Sequence, residues 1–245
     1  MLLARHRHVG ILQIDLMNSK FSFANTELSI YRSEIKLPGL VLPLNSVLIP
    51  RQSGNVLVSP IKFSEEQLQD IKARGGVAHI VAPTLLHHLF ILKAKGHFLD
   101  SKIWGVPGFQ QKRPDIQWNG FLDENSLFSS DLKITLLKGA PKINEAAIFD
   151  PQSKTLIVAD LFFNITEPKG WMSAILHLLG THKKFNVSRA LGLLVKDKAA
   201  ARSSLQTMMD WEFDKIIMSH GDPVLSSAKS LAIQTLKSYG LITDK

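Results

Sequence analysis

A short apolar run that ends in an aspartate constrains the fold more than any other stretch of this 245-residue chain. Leu156, Ile157 and Val158 are the aliphatic residues expected in a strand that is buried on both faces. Asp160 follows where this run ends. Because a buried carboxylate requires a cation, a metal ion or several hydrogen bonds, we expect a layered fold in which another segment supplies that partner.

Further strand and helix patterns alternate along the chain. Two β-rich runs, 45–50 and 55–59, flank a turn that contains Gly54 and therefore predict a hairpin. Ser64 and Gln67 predict a capping box at the start of a helix. This order predicts a mixed α/β fold with two layers of strands and helices outside them. The other predicted strands lie within 28–44 and at 77–82, 101–105, 132–137, 145–150, 154–160 and 213–218, and the other predicted helices at 85–95, 171–180, 188–209 and 226–239.

The length and composition indicate one soluble domain. A chain of 245 residues can form a single large α/β domain, and no repeat or linker composition divides it. Residues 1–25, which begin with an alternating Arg/His tract from Arg5 to His8, are predicted to be a peripheral N-terminal extension. The sequence has no cysteine, no signal-peptide pattern and no apolar run near the ~18 residues of a membrane span, so we predict a cytoplasmic protein.

The charge of the chain is basic but dispersed. Twenty-nine Lys and Arg residues against 21 Asp and Glu residues give a formal net charge of +8. A basic surface attracts anionic substrates, membranes or nucleic acids, but the lysines form no block of like charge and are best explained as solvated surface residues. No strip of aromatic and basic residues is available to stack bases, so the sequence argues against a nucleic-acid-binding protein.

Histidines follow two other predicted buried strands, in the same way as Asp160 follows its own strand. His87 and His88 follow the predicted strand 77–82, and His220 follows the strand 213–218. Each has a structural explanation of its own, such as core packing of one of the adjacent histidines or a local backbone hydrogen bond. Together, at the carboxyl ends of strands, they predict a shared metal site, because imidazole and carboxylate are ligands that zinc, iron and manganese accept.

The stretches that end in these residues resemble the metallo-β-lactamase fold superfamily, from about Val41 to Leu225. The segment 154–163 is similar to the strand that ends in the family's metal-bridging aspartate. The segment 215–223 is similar to the last strand with its terminal histidine ligand. The resemblance implies a four-layer αββα sandwich with a metal at one edge of its two sheets.

The chain departs from the family's His-x-His-x-Asp-His signature. Pro83 and Leu85 stand where the first two histidines are expected, and 139–144 lacks the further histidine expected before the aspartate strand. The resemblance therefore implies that the first metal position is lost. It also implies one divalent ion at the second position, zinc in the first place and iron or manganese as alternatives, on four ligand-type residues: His87, His88, Asp160 and His220.

This interpretation leads to three hypotheses about function: a metal-dependent hydrolase and two alternatives. In the hydrolase, water is the nucleophile, Asp160 holds the ion and accepts a hydrogen bond from that water, and His87 acts as a ligand or as an acid or base. The substrate is an unidentified small molecule, an ester, an amide or a phosphoester. The rivals are a non-catalytic binding or scaffold protein that kept the fold, and a mononuclear iron oxidase or oxygenase. The sequence predicts no oligomeric state.

Three further residues are candidates for supporting roles. Lys112 and Arg113 lie in an irregular connection after the strand 101–105 and are predicted to bind an anionic group of the substrate, with a solvated surface pair as the alternative. Asp222 is predicted to orient His220 from outside the ligand set, with a role in shaping the turn as the alternative.

Overall fold

The computed structural model describes residues 13–15, 20–22, 28–124 and 131–243. The predicted N-terminal extension lies largely outside these ranges, including the tract from Arg5 to His8. None of the helices in the described ranges is long and apolar enough to cross a membrane.

The first sheet contains eight strands that follow one another in chain order. Neighbouring strands are antiparallel from the first to the fifth and parallel from the fifth to the eighth. The strands are β1 Gln13–Asp15, β2 Lys20–Ser22, β3 Ser29–Leu37, β4 Leu40–Ile49, β5 Val56–Val58, β6 His79–Ala82, β7 Lys102–Gly105 and β8 Gly120–Phe121.

A second sheet of four strands packs against the first, and a pair of short strands lies beside them. The four-stranded order is β14, β11, β10, β9, in which β11 and β14 are parallel and the other pairs antiparallel. The two short strands, β12 and β13, pair with each other. The ranges are β9 Lys133–Leu136, β10 Ala146–Asp150, β11 Thr155–Val158, β12 Phe163–Asn164, β13 Phe185–Asn186 and β14 Lys215–Met218.

Helices cover the outer faces of the two sheets. Alternate residues of β10 show the layering, because Ile148 belongs to the core shared with the first sheet, whereas Phe149 packs with the helices that follow β13. The resulting order of helix, sheet, sheet and helix confirms the predicted four-layer αββα sandwich. The helices are α1 Glu65–Ala73, α2 Ile91–His97, α3 Phe109–Lys112, α4 Ala174–Leu178, α5 Arg189–Leu194, α6 Lys198–Met209 and α7 Ala228–Ser238, with a 3-10 turn at Trp171–Ser173.

A buried ion pair joins the two sheets at the turns that follow β4 and β10. Arg51 Nη2 lies 2.5 Å from Asp150 Oδ1, and Arg51 Nε lies 2.7 Å from Asp131 Oδ2. The side chains of Arg51 and Asp150 are only 5% and 2% exposed. Because Asp150 pairs with the first residue of β11, this contact lies at the end of the second sheet opposite Asp160.

Most predicted elements are confirmed, and one helix is interrupted. The Ser64 capping box and the two hairpins β4–β5 and β10–β11 form as expected. The predicted continuous helix 188–209 is wrong, because α5 ends at Leu194 and α6 begins at Lys198. Asp197 causes the break, since its carboxylate accepts hydrogen bonds from two amides of the first turn of α6 and its own amide donates to Gly139.

Candidate metal centre

Three ligand-type side chains meet at one edge of the two sheets. Asp160 follows β11 and His220 follows β14, so the parallel pairing of these strands brings both residues to the same edge. His87 follows β6 of the first sheet and approaches from the other layer. The site therefore forms only where the two sheets are packed together.

The ligand atoms of these three residues lie within 4.8 Å of one another. His87 Nε2 is 3.5 Å from Asp160 Oδ1, and His220 Nε2 is 3.4 Å from the same oxygen. The two imidazole rings are 5.3 Å apart and nearly perpendicular, at 88°. In the part of the chain that the structure describes, this is the only group of three or more histidine or acidic side chains arranged so closely.

Both histidines direct Nε2 toward Asp160 because protein oxygens hold their other ring nitrogen. His220 Nδ1 lies 3.0 Å from the Pro43 carbonyl, which can only accept, so Nδ1 carries the proton and Nε2 is available as a ligand. His87 Nδ1 lies 2.7 Å from Ser59 Oγ, which also accepts a hydrogen bond from Ser219. Metal-binding histidines typically have their other ring nitrogen held by a protein oxygen in this way.

The spacing and the chemistry of the donor atoms fit a divalent cation. Separations of 3.4 and 3.5 Å exceed the ~2.9 Å of an ordinary N–H···O bond. They match the ~3.4 Å between ligands that ~2.1 Å bonds to a tetrahedral ion produce. Asp160 Oδ2 is buried and has no hydrogen-bond partner among the described residues. A buried acceptor without a donor is costly, and a cation would satisfy it.

Charges in the site favour an ionised aspartate. Burial raises the pKa of the Asp160 carboxyl, but the adjacent His87 and His220 outweigh burial and hold this pKa well below its usual range. Burial lowers the pKa of the His220 imidazole, and the adjacent Asp160 carboxylate, followed by the Pro43 carbonyl, reverses that effect and raises it. The buried carboxylate thus favours positive charge beside it, and a divalent ion would supply that charge.

A buried glutamate fixes the backbone that carries Asp160, and the sequence analysis did not identify it. The carboxylate of Glu145 accepts hydrogen bonds from the amides of Ala159 at 2.7 Å and Asp160 at 2.8 Å. The residue is 1% exposed. Burial, and then the negative charge of Asp160, raise the pKa of Glu145. Its only sequence signal was an acidic residue at the start of a buried strand.

The prediction that His88 completes the ligand set is corrected by the structure. Its Nδ1 lies 3.0 Å from Arg113 Nη1, and its ring packs against Phe109, so the imidazole faces away from the other ligands. Burial, followed by the positive charges of Lys112 and Arg113, lowers the pKa of His88. Of the two adjacent histidines, His87 is the one that joins Asp160 and His220.

Lys112 and Arg113, which the sequence analysis predicted to bind an anionic group of the substrate, contact the loop that carries His87. Lys112 Nζ donates to the Leu85 carbonyl at 2.7 Å. Arg113 donates to the His88 carbonyl at 3.1 Å and forms a two-bond ion pair with Asp115. These contacts also explain why the helix predicted at 85–95 begins only at Ile91, since they occupy carbonyl groups on both sides of His87.

Asp222 does not orient His220, in contrast to the prediction. Its Oδ1 pairs with Arg32 Nη2 at 2.7 Å, and its Oδ2 accepts a hydrogen bond from Thr166. The partner of His220 is the Pro43 carbonyl instead. Asp222 therefore has the role in shaping the turn that the sequence analysis gave as the alternative.

Apolar residues occupy the positions where the family signature places histidines. Leu85 and Pro83 are both buried, and Leu85 belongs to the main hydrophobic core. The Leu85 amide donates to the Ile143 carbonyl, and the Ala146 amide donates to the Pro83 carbonyl. This segment is thus anchored by packing and by backbone hydrogen bonds to the second sheet.

A cavity of about 230 Å³, here called the apolar cavity, opens beside the three ligand-type residues. Its polar wall contains Asn45, whose Nδ2 donates to the carbonyls of Met218 and Gly221 and whose Oδ1 is buried without a partner among the described residues. Its apolar wall consists of Ile35, Leu37, Leu42, Leu44, Pro60, Ile61, Leu86, Leu89 and Phe90.

Comparisons with known proteins agree with this arrangement. A family model for the metallo-beta-lactamase superfamily matches residues 31–209. No curated protein matches the sequence. A metallo-beta-lactamase from Pontibacter korlensis is 15% identical, with a TM-score of 0.60, over 89% of this chain and 98% of that one. One from Erythrobacter litoralis, with beta mercaptoethanol in its active site, is 13% identical, with a TM-score of 0.61, over 89% and 99%. A metal-soaked flavodiiron core from Synechocystis is 15% identical, with a TM-score of 0.60, over 87% and 58%.

Proposed function

Because this chain belongs to the metallo-beta-lactamase superfamily, we propose that it is a metal-dependent hydrolase that holds one divalent ion on His87, Asp160 and His220. One observation carries the proposal: two imidazole Nε2 atoms converge on a single carboxylate whose second oxygen has no hydrogen-bond partner among the described residues. Proteins of this fold are typically metal-dependent hydrolases, and the donor set supports the same activity here.

Three protein ligands support catalysis better than four. A closed set of four protein ligands is typical of structural zinc, whereas catalytic zinc keeps a position for water or substrate. His88 contacts Arg113 and is not part of the group of three, so an ion held on His87, Asp160 and His220 would keep a position for water or substrate beside the apolar cavity that these residues line. An ion held there would polarise a substrate oxygen and lower the pKa of water toward ~7.

The side chains of the site have separate tasks in hydrolysis. Asp160 would be ionised, would hold the ion and would accept a hydrogen bond from the attacking water. His87 and His220 would present Nε2 to the ion, because Ser59 and the Pro43 carbonyl contact the ring nitrogen that does not face it. Glu145 fixes the backbone at Asp160, so the carboxylate needs little reorganisation as the reaction proceeds.

Metal content of the purified protein tests the proposal. We expect close to one ion per chain in the wild type, loss of that ion in His87→Ala and His220→Ala, and its retention in His88→Ala. His177→Ala, on an exposed helix, is the matched control. A wild type that takes up no ion after supplementation, while remaining folded, would contradict the proposal and favour a binding or scaffold protein.

A second candidate, a mononuclear iron oxidase or oxygenase, is favoured by the same donor set. Two histidines and one carboxylate with open positions are typical of non-haem iron sites. Elemental analysis separates the two candidates, because protein that retains iron in preference to zinc, and consumes oxygen with a reductant, would support the oxidase. Zinc occupancy with hydrolysis of esters would support the hydrolase.

A further inference from the structure

We infer that the substrate is an uncharged carboxylic ester with a short apolar acyl chain, and that this chain lies in the apolar cavity beside Asp160. The inference rests on the proposed hydrolase function and adds the class of substrate. It replaces the sequence-based expectation of an anionic substrate, because the two cations on which that expectation depended contact the protein itself.

Exposed aliphatic side chains line the cavity next to the reactive position. Leu37, at the end of β3, is 43% exposed, and Leu86 and Leu89, on the loop of His87, are 48% and 62% exposed. These side chains converge from two separate parts of the chain on one opening. Exposed apolar surface of this kind, continuous with a catalytic group, is typical of a site that a ligand covers.

Charged groups that would recognise an anionic substrate do not line this cavity. The described residues of its wall include no lysine and no arginine. The cations nearest in the fold are engaged elsewhere: Lys112 donates to the Leu85 carbonyl, Arg113 pairs with Asp115, and Arg32 pairs with Asp222. A phosphate or carboxylate of the substrate would contact only the ion. It would lose its hydration shell without gaining a cationic side chain as a partner.

The polar wall suits a neutral ester instead. Besides the three ligand-type residues, the polar residues of the wall are Asn45, Ser59 and Ser219, and all three are uncharged. Uncharged polar groups can face a neutral ester, but they do not balance the charge of an anion. The volume of about 230 Å³ lies below the range of ~300–1,000 Å³ for drug-sized ligands, which limits the acyl chain to a few carbons.

The reaction balances without any further reactant. The oxygen of water forms a bond to the acyl carbon, and the bond from that carbon to the alkoxy oxygen breaks. The alkoxy oxygen takes one proton of the water and leaves as the alcohol. The carboxylic acid that remains gives its proton to solvent, and the carboxylate leaves a cavity whose wall has no lysine or arginine among the described residues.

Chain-length dependence of hydrolysis by the zinc-loaded protein tests the inference. The probes are 4-nitrophenyl acetate, butyrate and hexanoate, with bis(4-nitrophenyl) phosphate as the anionic comparison. Each fully buried methylene is worth about fourfold, so we expect kcat/KM to rise at least ~10-fold from acetate to hexanoate. Equal values across the series, or faster hydrolysis of the phosphodiester, would overturn the inference.

Matched variants locate the effect in the cavity. Leu37→Ser with Leu89→Ser removes two exposed side chains of the cavity wall, whereas Leu92→Ser with Leu99→Ser removes two outside it with similar exposure, 47% and 74%. We expect the first pair to abolish the preference for hexanoate and the second to preserve it. Equal loss in both pairs, or in neither, would contradict the assignment of the cavity.

Binding without turnover distinguishes failure of this inference from failure of the hydrolase proposal. Calorimetry of hexanamide against acetamide reports the cavity even if no ester is hydrolysed. Tighter binding of hexanamide by ~10-fold, lost in the Leu37→Ser/Leu89→Ser variant, supports an apolar acyl site. Equal affinities overturn it, whereas absence of metal and of hydrolysis would count against the proposed function alone.

Discussion

Removal of the Glu145 carboxylate is expected to weaken both the fold and the metal site, although Glu145 is not one of the three ligand-type residues. Glu145 accepts two backbone hydrogen bonds, from Ala159 and Asp160, at 2.7 and 2.8 Å in a buried position. Glu145→Ala leaves both amides without an acceptor at the point where β11 ends and the ligand begins.

The magnitude follows from the number of donors that lose their partner. A buried donor left unsatisfied costs ~1–3 kcal/mol, so two such amides predict a loss of ~2–6 kcal/mol in the free energy of unfolding for Glu145→Ala. Glu145→Gln retains one acceptor oxygen, so its predicted loss stays below ~3 kcal/mol. Partners outside the ligand set typically contribute ~10–100-fold to metal affinity, which is the range expected here for both variants.

Urea unfolding of the metal-free protein measures the first effect, and competition with a coloured chelator measures the second. Glu65→Gln, which removes an exposed carboxylate at the start of α1, is the control for the loss of charge alone. The reasoning is refuted if Glu145→Ala unfolds at the wild-type urea concentration and binds zinc with unchanged affinity. A loss of stability without a loss of affinity would show that Glu145 supports the strand but does not position Asp160.

Three further substitutions test other contacts of the fold. Arg51→Ala breaks the buried pair with Asp150 and should lower the free energy of unfolding by ~3–5 kcal/mol in urea titrations. Arg74→Ala, which removes a more exposed pair on α1, should lower it by only ~0–1 kcal/mol. Equal losses in the two variants would contradict this prediction. Gly221→Ala places a Cβ 2.1 Å from a backbone oxygen at a positive φ of 95°, so its midpoint of thermal unfolding should fall, and an unchanged midpoint would contradict this. Arg113→Ala should lower zinc affinity in a chelator competition by releasing the loop of His87, with no effect expected from Lys142→Ala on the surface; equal affinities would exclude that role.

The sequence predicted those parts of the site that depend on local strand patterns. Asp160 and His220 each end a short buried strand, and parallel pairing of the two strands then brings them together. The same reasoning did not distinguish His87, which joins this group, from His88, which does not. Which of two adjacent residues faces inward depends on the turn that Arg113 fixes from 25 positions away, and no local pattern encodes that contact.

Glu145 illustrates a second limit of reasoning from sequence. Its partners are backbone amides, which every residue except proline possesses, so no residue type announces the contact. The break at Asp197 differs, because an aspartate before a run of alanines is a recognisable cap, although the long apolar periodicity of 188–209 concealed it. Patterns predicted layers and strand ends, whereas side-chain contacts with the backbone required the structure.

With the proposed ion on its three ligands, the arrangement of the two sheets would couple metal supply to the folding equilibrium of this protein. Arg51 and Asp150 fasten the layers at one end, and the ligand set bridges them at the other, with His87 from one sheet and Asp160 and His220 from the other. An ion that binds only the folded state at 100 times its Kd adds ~2.7 kcal/mol to stability, close to what a broken ion pair removes. A cell rich in the metal would therefore tolerate sequence changes at the opposite end of the sandwich that a metal-starved cell would eliminate.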